Sequence, residues 1–241
     1  MLKPNLAVEI CGVKLKNPCI AASGTFGFGE EYETYFPLHK LGGISVKGLT
    51  LRPRAGNPPP RIAETPSGML NSVGLQNPGV DAFLHDHLPW LKKTDTAVIA
   101  NIAGNTIEDY CEIAQKLSGS AVDMLELNIS CPNVKEGGMA FGTRPESVLE
   151  VTRRVKAVSG QKPLIVKLSP NTASVADTAL AAQAGGADAV SLINTLTGMA
   201  VDVKRMRPVL ANVTGGLSGP AIRPVALRMV YEAASAVNIP V

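Results

Sequence analysis

No stretch of the chain reaches the roughly 18 uninterrupted apolar residues that a membrane-spanning helix requires. Its first residues, MLKPNLAVEICGVKLKNP, lack the apolar core of a secretory signal. These absences predict a cytoplasmic protein with no membrane partner. Cysteine is sparse and scattered: Cys11, Cys19, Cys111 and Cys131 form no CxxC pair and no metal-ligand spacing. Free thiols are therefore expected, with neither zinc nor an iron–sulfur cluster on this chain. His39, His85 and His87 fall in helix-like or linker stretches, which argues against a Ser-His-Asp triad and a His-rich metal site. Nor does one charge dominate, since 23 Lys and Arg against 20 Asp and Glu leave +3 over 241 residues. The densest basic cluster, Lys204, Arg205 and Arg207, is too short for a nucleic-acid surface and reads as a solvated loop.

What the chain has is rhythm. PCIAASG precedes the helix-like GEEYETYFPL, and GGISVKGLT follows. TAVIANIAG leads to TIEDYCEIAQKLSG, VDMLELNIS to RPESVLEVTRRVKAVSG, PLIVKLSP to TASVADTALAAQAGG, and DAVSLINTL to GPAIRPVALRMVYEAASAV. Repeated βα units with continuous apolar strands predict an α/β fold, a parallel sheet covered by helices. No GxGxxG follows the first strand, which weakens a doubly wound dinucleotide fold. The long run of similar units favours a TIM (β/α)8 barrel, as a single domain over residues 1–241. Residues 51–80, rich in Pro, Gly and Asn, break the rhythm and read as an excursion over one end.

Local signals support the helices. Thr143 and Glu146 have the spacing of a capping box, and Gly160 stands where a helix would stop. Ile107, Tyr110, Cys111, Ile113, Ala114 and Leu117 mark one apolar face. Cys111 therefore reads as core packing, as does Cys19 inside an apolar strand, and Cys11 falls in an N-terminal hairpin. In LSGPAI, Ser218 reads as the cap of a helix start.

Barrels of this kind place their chemistry at the C-terminal ends of the strands. Those ends give Ser23, Lys47, Asn101, Asn128, Lys167 and Asn194, with Thr195 beside the last. One strand-end lysine is ordinarily a snorkelling surface residue; two lysines and three asparagines at equivalent positions would converge on one mouth. The lysines offer fixed positive charge for an anionic substrate or a developing anion on a cofactor ring. The asparagines offer paired donors and acceptors for a planar heterocycle. Carboxylates are sparse at the strand ends, which disfavours a two-carboxylate glycosidase mechanism. In LNISCPNV the strand ends abruptly at Cys131, with Gly137 and Gly138 shortly after. Alone it would read as an inert buried thiol. Inside the ring it stands out as a proton acceptor, because neighbouring cations and donors can stabilise a thiolate whose ordinary pKa is about 8.5.

With Lys47, NSVGLQNPG (71–79), NISCPNV and INTL in view, the sequence resembles the dihydroorotate dehydrogenases. NISCPNVKEGGMAFG and ANVTGGLSGPAI look most like the NAD-linked class 1B catalytic branch. The resemblance covers essentially the whole chain and implies a flavin-containing barrel that oxidises dihydroorotate to orotate in pyrimidine synthesis. It implies Cys131 as the base that takes the C5 proton while hydride passes from C6 to FMN. Lys47 would touch both flavin and substrate, and Lys167 would stabilise the reduced flavin. Asn71, Asn128, Asn194 and Thr195 would hold orotate under a turn through Ser72, Val73, Gly74 and Leu75. Ser23, Gly48, Asn101, Asn128, Ile193 and Gly219 match flavin-contacting positions. An electron-transfer partner carrying FAD and a [2Fe-2S] cluster is implied, in a heterotetramer of two catalytic and two partner chains.

The family barrel continues past NIPV through further phosphate-binding turns, so the resemblance implies truncation after the sixth βα unit. Two other readings compete: a dihydropyrimidine dehydrogenase-like flavin domain, which Lys47 beside NSVGLQNPG disfavours, and a non-catalytic barrel fragment.

Overall fold

The computed structural model describes residues 4–129 and 141–241. Six short strands form one parallel sheet: β1 (Ile20–Ala21), β2 (Gly43–Ser45), β3 (Ala97–Ile102), β4 (Met124–Asn128), β5 (Leu164–Lys167) and β6 (Ala189–Ser191). Each pairs with the next in sequence, so their order across the sheet is sequential, with none of the reversal that marks a doubly wound fold. The result is a curled α/β sheet occupying six successive positions of a (β/α)8 barrel. Beyond β6 the main chain begins a further pairing, the Val190 N–H donating to the Pro240 carbonyl at 3.0 Å.

Four long helices cover the outside: α1 (Ile107–Ser118), α2 (Pro145–Val158), α3 (Val175–Ala184) and α4 (Arg223–Ala236). Shorter helical turns fill the first two crossovers. Alternation along each strand sorts side chains between two cores. Outward-facing Ile44, Val98, Leu125, Leu127, Val166 and Val190 are buried against Tyr110, Ile113, Val151 and Ala179 of the helices. Inward-facing Ile99, Met124, Ile165 and Ala189 form a separate apolar plug with Leu15. Leu15 belongs to the antiparallel hairpin Val8–Ile10/Val13–Leu15, which closes the barrel floor with Ile10 and Val13. Its turn is Cys11–Gly12, both at positive φ, as the two-residue turns that match strand twist require.

The floor is pinned by two aspartates in equivalent places. Asp123, just before β4, accepts the Val98 N–H of β3 at 2.7 Å and the Lys92 ammonium at 2.8 Å. Asp188, just before β6, accepts the Leu164 N–H of β5 at 2.7 Å and the Lys156 ammonium at 2.6 Å. Each carboxylate thus ties the start of one strand to its neighbour.

Several local expectations are corrected. Thr143 does not cap α2: Arg144 is the N-cap, extended at φ −119° and ψ 129°, and Pro145 opens the helix. A residue before proline is disfavoured in helical geometry, and here Arg144 stays extended, so the helix starts at Pro145. Ser218 caps nothing; it ends the strand Thr214–Ser218, and Gly219 precedes the turn Pro220–Ile222. Cys19 is exposed at the floor, ahead of β1, rather than in the core. Cys111 is half-buried against the outer core as expected, Cys11 sits in the hairpin turn, and Gly160 follows α2 at φ +62°.

The excursion over residues 51–80 carries the hairpin Ile62–Thr65/Gly68–Asn71, and it does not stand alone. A second excursion after β6 supplies Leu196–Met199 and Thr214–Ser218, and the two join in a four-stranded antiparallel sheet. Lys204 and Arg205 lie in an exposed turn whose amides are held by Asp202 Oδ1.

The capping box that does form belongs to α1. The Thr106 hydroxyl accepts the Asp109 N–H at 3.1 Å, and Asp109 Oδ2 accepts the Thr106 N–H at 3.2 Å. Thr106→Ala is expected to lower unfolding free energy by about 1 kcal/mol, read as a lower urea midpoint at unchanged slope.

Candidate active site

Above the apolar plug the inward positions turn polar. Ser45 of β2, Asn101 of β3 and Glu126 and Asn128 of β4 are all buried, with Lys167 of β5 and Ser191 of β6 half-buried beside them. The strand register aligns Asn101 with Glu126, Asn128 with Lys167, and Lys167 with Ser191. Lys47 follows Ser45 by one period of the β2 alternation, and its N–H donates to the Gly27 carbonyl at 2.9 Å. Asn101, Asn128 and Lys167 thus face inward near the carboxyl ends of neighbouring strands, where the ring was expected.

Its members are linked. The Lys167 ammonium donates to the Ser23 hydroxyl at 3.4 Å, joining β5 to the end of β1. Asn128 Nδ2 donates to Asn101 Oδ1, and Asn194 Nδ2 donates to Asn128 Oδ1, each at 3.3 Å. The Thr195 N–H donates to Asn194 Oδ1 at 2.8 Å. Asn71 Nδ2 donates to the Gly216 carbonyl at 3.4 Å. A Cβ on Gly216 would fall 2.0 Å from Thr195 Oγ1, so only glycine lets these two segments meet.

The turn through Ser72, Val73, Gly74 and Leu75 lies across this mouth. Gly74 and Leu75 both have positive φ. A Cβ added to Gly48 would meet Asn101 Oδ1 at 2.9 Å and Leu75 Cδ2 at 3.2 Å, which places Gly48, Asn101 and Leu75 in one tight group. Two asparagines that sequence reading passed over fix the turn. Asn57 donates from its backbone to the Val73 carbonyl at 2.9 Å and from Nδ2 to the Ser72 carbonyl at 2.8 Å. Asn77 donates to the Leu75 carbonyl at 2.7 Å and accepts the Thr50 N–H at 3.1 Å. On the far side, Asn171 clamps the segment after β6 by donating to the Thr195 carbonyl and accepting the Thr197 N–H, both at 3.0 Å. These residues sit in turn-rich clusters, where their type signalled a turn but not what it would hold.

Two expected residues stand apart. Ile193 packs against the outer core. Gly219 is exposed and lies against Ser67 and Gly68 at the tip of the hairpin. Cys131, the expected base, lies outside the described residues. Glu126 was not anticipated: it is 7% exposed and receives hydrogen bonds from Ser45, Asn101 and Ser191.

A curled parallel sheet with a polar ring at the carboxyl ends of its strands is the architecture of (β/α)-barrel enzymes. Residues 5–241 match the family model described as dihydroorotate dehydrogenase. Similar proteins carry the name dihydroorotate dehydrogenase B (NAD(+)), catalytic subunit. One from Alkaliphilus metalliredigens is 61% identical over 100% of this chain and 80% of its own length. One from Thermoanaerobacter sp. (strain X514) is 61% identical over 98% of this chain and 78% of its own. A third, from Geotalea uraniireducens, is 59% identical over 100% of this chain and 79% of its own. The chain belongs to the dihydroorotate dehydrogenase family.

Among the described residues, the Ser72 hydroxyl, in a residue only 2% exposed, finds no hydrogen-bond partner. A buried hydroxyl in that state costs about 1–3 kcal/mol. Ser72→Ala should therefore leave the ligand-free protein as stable as the wild type or more so, measured by thermal unfolding. A clear loss of stability would show that the hydroxyl is already satisfied without ligand.

Proposed function

We propose that the protein oxidises dihydroorotate to orotate, a step of pyrimidine synthesis, with electrons delivered to NAD through a partner subunit. The observation that carries this reading is the linked ring of Asn101, Asn128, Asn194, Thr195, Lys167 and Ser23 at the barrel mouth, in a chain of this family. The relatives' shared name, with its NAD(+) and its catalytic subunit, supports the acceptor and the existence of a partner. That partner would carry FAD and a [2Fe-2S] cluster, two copies of it with two of this chain. No helix among the described residues is long and apolar enough to cross a membrane, consistent with the cytoplasmic setting proposed here.

The substrate is a flat ring with alternating carbonyl and N–H edges and a carboxylate. Carboxamides match the edges because each offers both donor and acceptor, and a lysine ammonium matches the carboxylate. We assign substrate contacts to Lys47, Asn71, Asn128, Asn194 and Thr195, with Ser72, Val73, Gly74 and Leu75 excluding water from above. The unpartnered Ser72 hydroxyl fits this role, since a ligand atom would satisfy it.

The residues also fit FMN. The Ser23 hydroxyl and Lys167 ammonium form a donor pair for an electron-rich ring edge. Asn101 offers its carboxamide beside Gly48, whose missing Cβ makes room for the Asn101 and Leu75 side chains. Lys47 and Asn128 extend the assignment; Ile193, packed on the outer core, and Gly219, at the hairpin tip, stand apart from this surface, and their flavin contact rests on the resemblance alone. FMN, when bound, supplies the acceptor for the hydride leaving C6 of the substrate. Cys131 takes the proton from C5, so that one proton and one hydride leave and a carbon–carbon double bond forms.

Cys131→Ala should keep orotate binding and lose about 10²- to 10⁴-fold in dihydroorotate oxidation, the usual worth of a general base. Cys131→Ser should recover activity as pH rises, because a hydroxyl is the weaker acid. Turnover of either variant within a few-fold of wild type at every pH would make the cysteine structural. Uracil turned over in place of dihydroorotate would overturn the substrate assignment.

The two lysines should separate. Lys47→Ala is expected to weaken orotate binding and slow flavin reduction together, whereas Lys167→Ala should chiefly impair flavin retention or reduction. Orotate titrations and anaerobic half-reactions on both variants measure the split; equal and minor effects would place both side chains outside the site.

A further inference from the structure

The catalytic reading above makes no use of Glu126, yet this carboxylate lies at the inner end of the asparagine ring. Its Oε2 accepts from the Ser45 hydroxyl at 2.6 Å and from Asn101 Nδ2 at 2.5 Å, while Oε1 accepts from the Ser191 hydroxyl at 2.8 Å. Those donors stand on β2, β3 and β6, so the bonds cross the barrel interior. Oε2 accepts in both of its bonds, so Asn101 turns its NH2 inward and its carbonyl toward Asn128. Asn128 then meets that carbonyl with its own NH2 and presents its carbonyl to Asn194 Nδ2. The far end has an equally unambiguous partner, the Thr195 backbone N–H on Asn194 Oδ1. The carboxylate at one end and the amide at the other demand the same sense along all three carboxamides. Reversing any one would set donor against donor and acceptor against acceptor.

We propose that Glu126 is a positioning residue for the site. It fixes the direction in which Asn101, Asn128 and Asn194 present donors and acceptors to the ligand. A pyrimidine edge is read by that direction: a reversed carboxamide offers NH2 where the ring also has N–H, a mismatch that excludes rather than weakens a contact. The hydrogen-bond acceptor at position 126, not its charge, carries the effect. Glutamine can place its carbonyl oxygen where Oε2 stands and its NH2 against a rotated Ser191 hydroxyl, keeping the sense of the chain. Leucine, of similar size, offers no acceptor.

The identity of the ligand rests on the proposed function, so the test separates the two. Wild-type full-length protein is first assayed with dihydroorotate; failure there removes the substrate assignment alone. The ligand-free proteins are then compared by the side-chain amide NMR resonances of Asn101, assigned by substitution. Glu126→Gln should keep two slowly exchanging, shifted Asn101 amide protons, and Glu126→Leu should return them toward the values of a free carboxamide. In orotate titrations Glu126→Gln should bind within about threefold of wild type and Glu126→Leu at least tenfold more weakly. A folded leucine variant with wild-type amide resonances and orotate affinity would overturn the proposal. So would a folded glutamine variant that loses tenfold, and that result decides the question even where leucine does not fold.

Discussion

The barrel's polar half is organised by the need to satisfy one carboxylate inside it. Removing an ionised carboxylate from water costs several kcal/mol unless donors replace the lost hydration. Here two serine hydroxyls and one carboxamide replace it, drawn from strands on both sides of β4. The same strand carries Met124 below in the apolar plug and Asn128 above at the mouth. Glu126 thus marks the boundary between an interior that holds the barrel together and an interior that meets a ligand. Its demand for donors reaches outward, because the amide that satisfies it is itself a member of the ring.

The sheet built from the two excursions completes the site from above. One leaves after β2 and the other after β6, and their strands pair so that Asn71 lies opposite Gly216. This pairing brings Thr195 and Asn71 onto neighbouring segments, although they are remote in sequence. Asn57, Asn77 and Asn171 then hold the connecting turns by donating side-chain hydrogen bonds to their carbonyls. The ring sits on hydrogen-bonded strands, and asparagine side chains hold the turns of the cover where no ladder does.

Much of this was legible in the sequence. Each apolar strand ends at a recognisable break, so the residues at the breaks could be named, and the parallel sheet brought Ser23, Asn101, Asn128, Lys167, Asn194 and Thr195 together. What escaped was mid-strand or long-range. Glu126 is flanked by Leu125 and Leu127, and a strand read as continuously apolar conceals that every second residue faces inward. The antiparallel sheet joins segments far apart in the chain, and no local pattern announces such a pairing. The Thr143–Glu146 spacing misled because proline at 145 disfavours the helical geometry its predecessor would need, and Arg144 is extended instead. The true box at Thr106 and Asp109 uses aspartate in place of glutamate.

The aspartates of the floor have a consequence for how such a molecule can change. In a strand, a slip of one residue sends every inward side chain outward, and here it would carry Glu126, Asn128 and Lys167 away from the mouth. Asp123 and Asp188 oppose that slip from the end remote from the ligand, by gripping the Val98 and Leu164 amides near the start of the strands beside them. The alignment of the upper rim is therefore inherited from below, as the height of a row of piles is set by the bed they are driven into. Loops at the rim can lengthen, shorten or exchange residues while the pilings stay where they are, which leaves specificity free to drift on a foundation that does not.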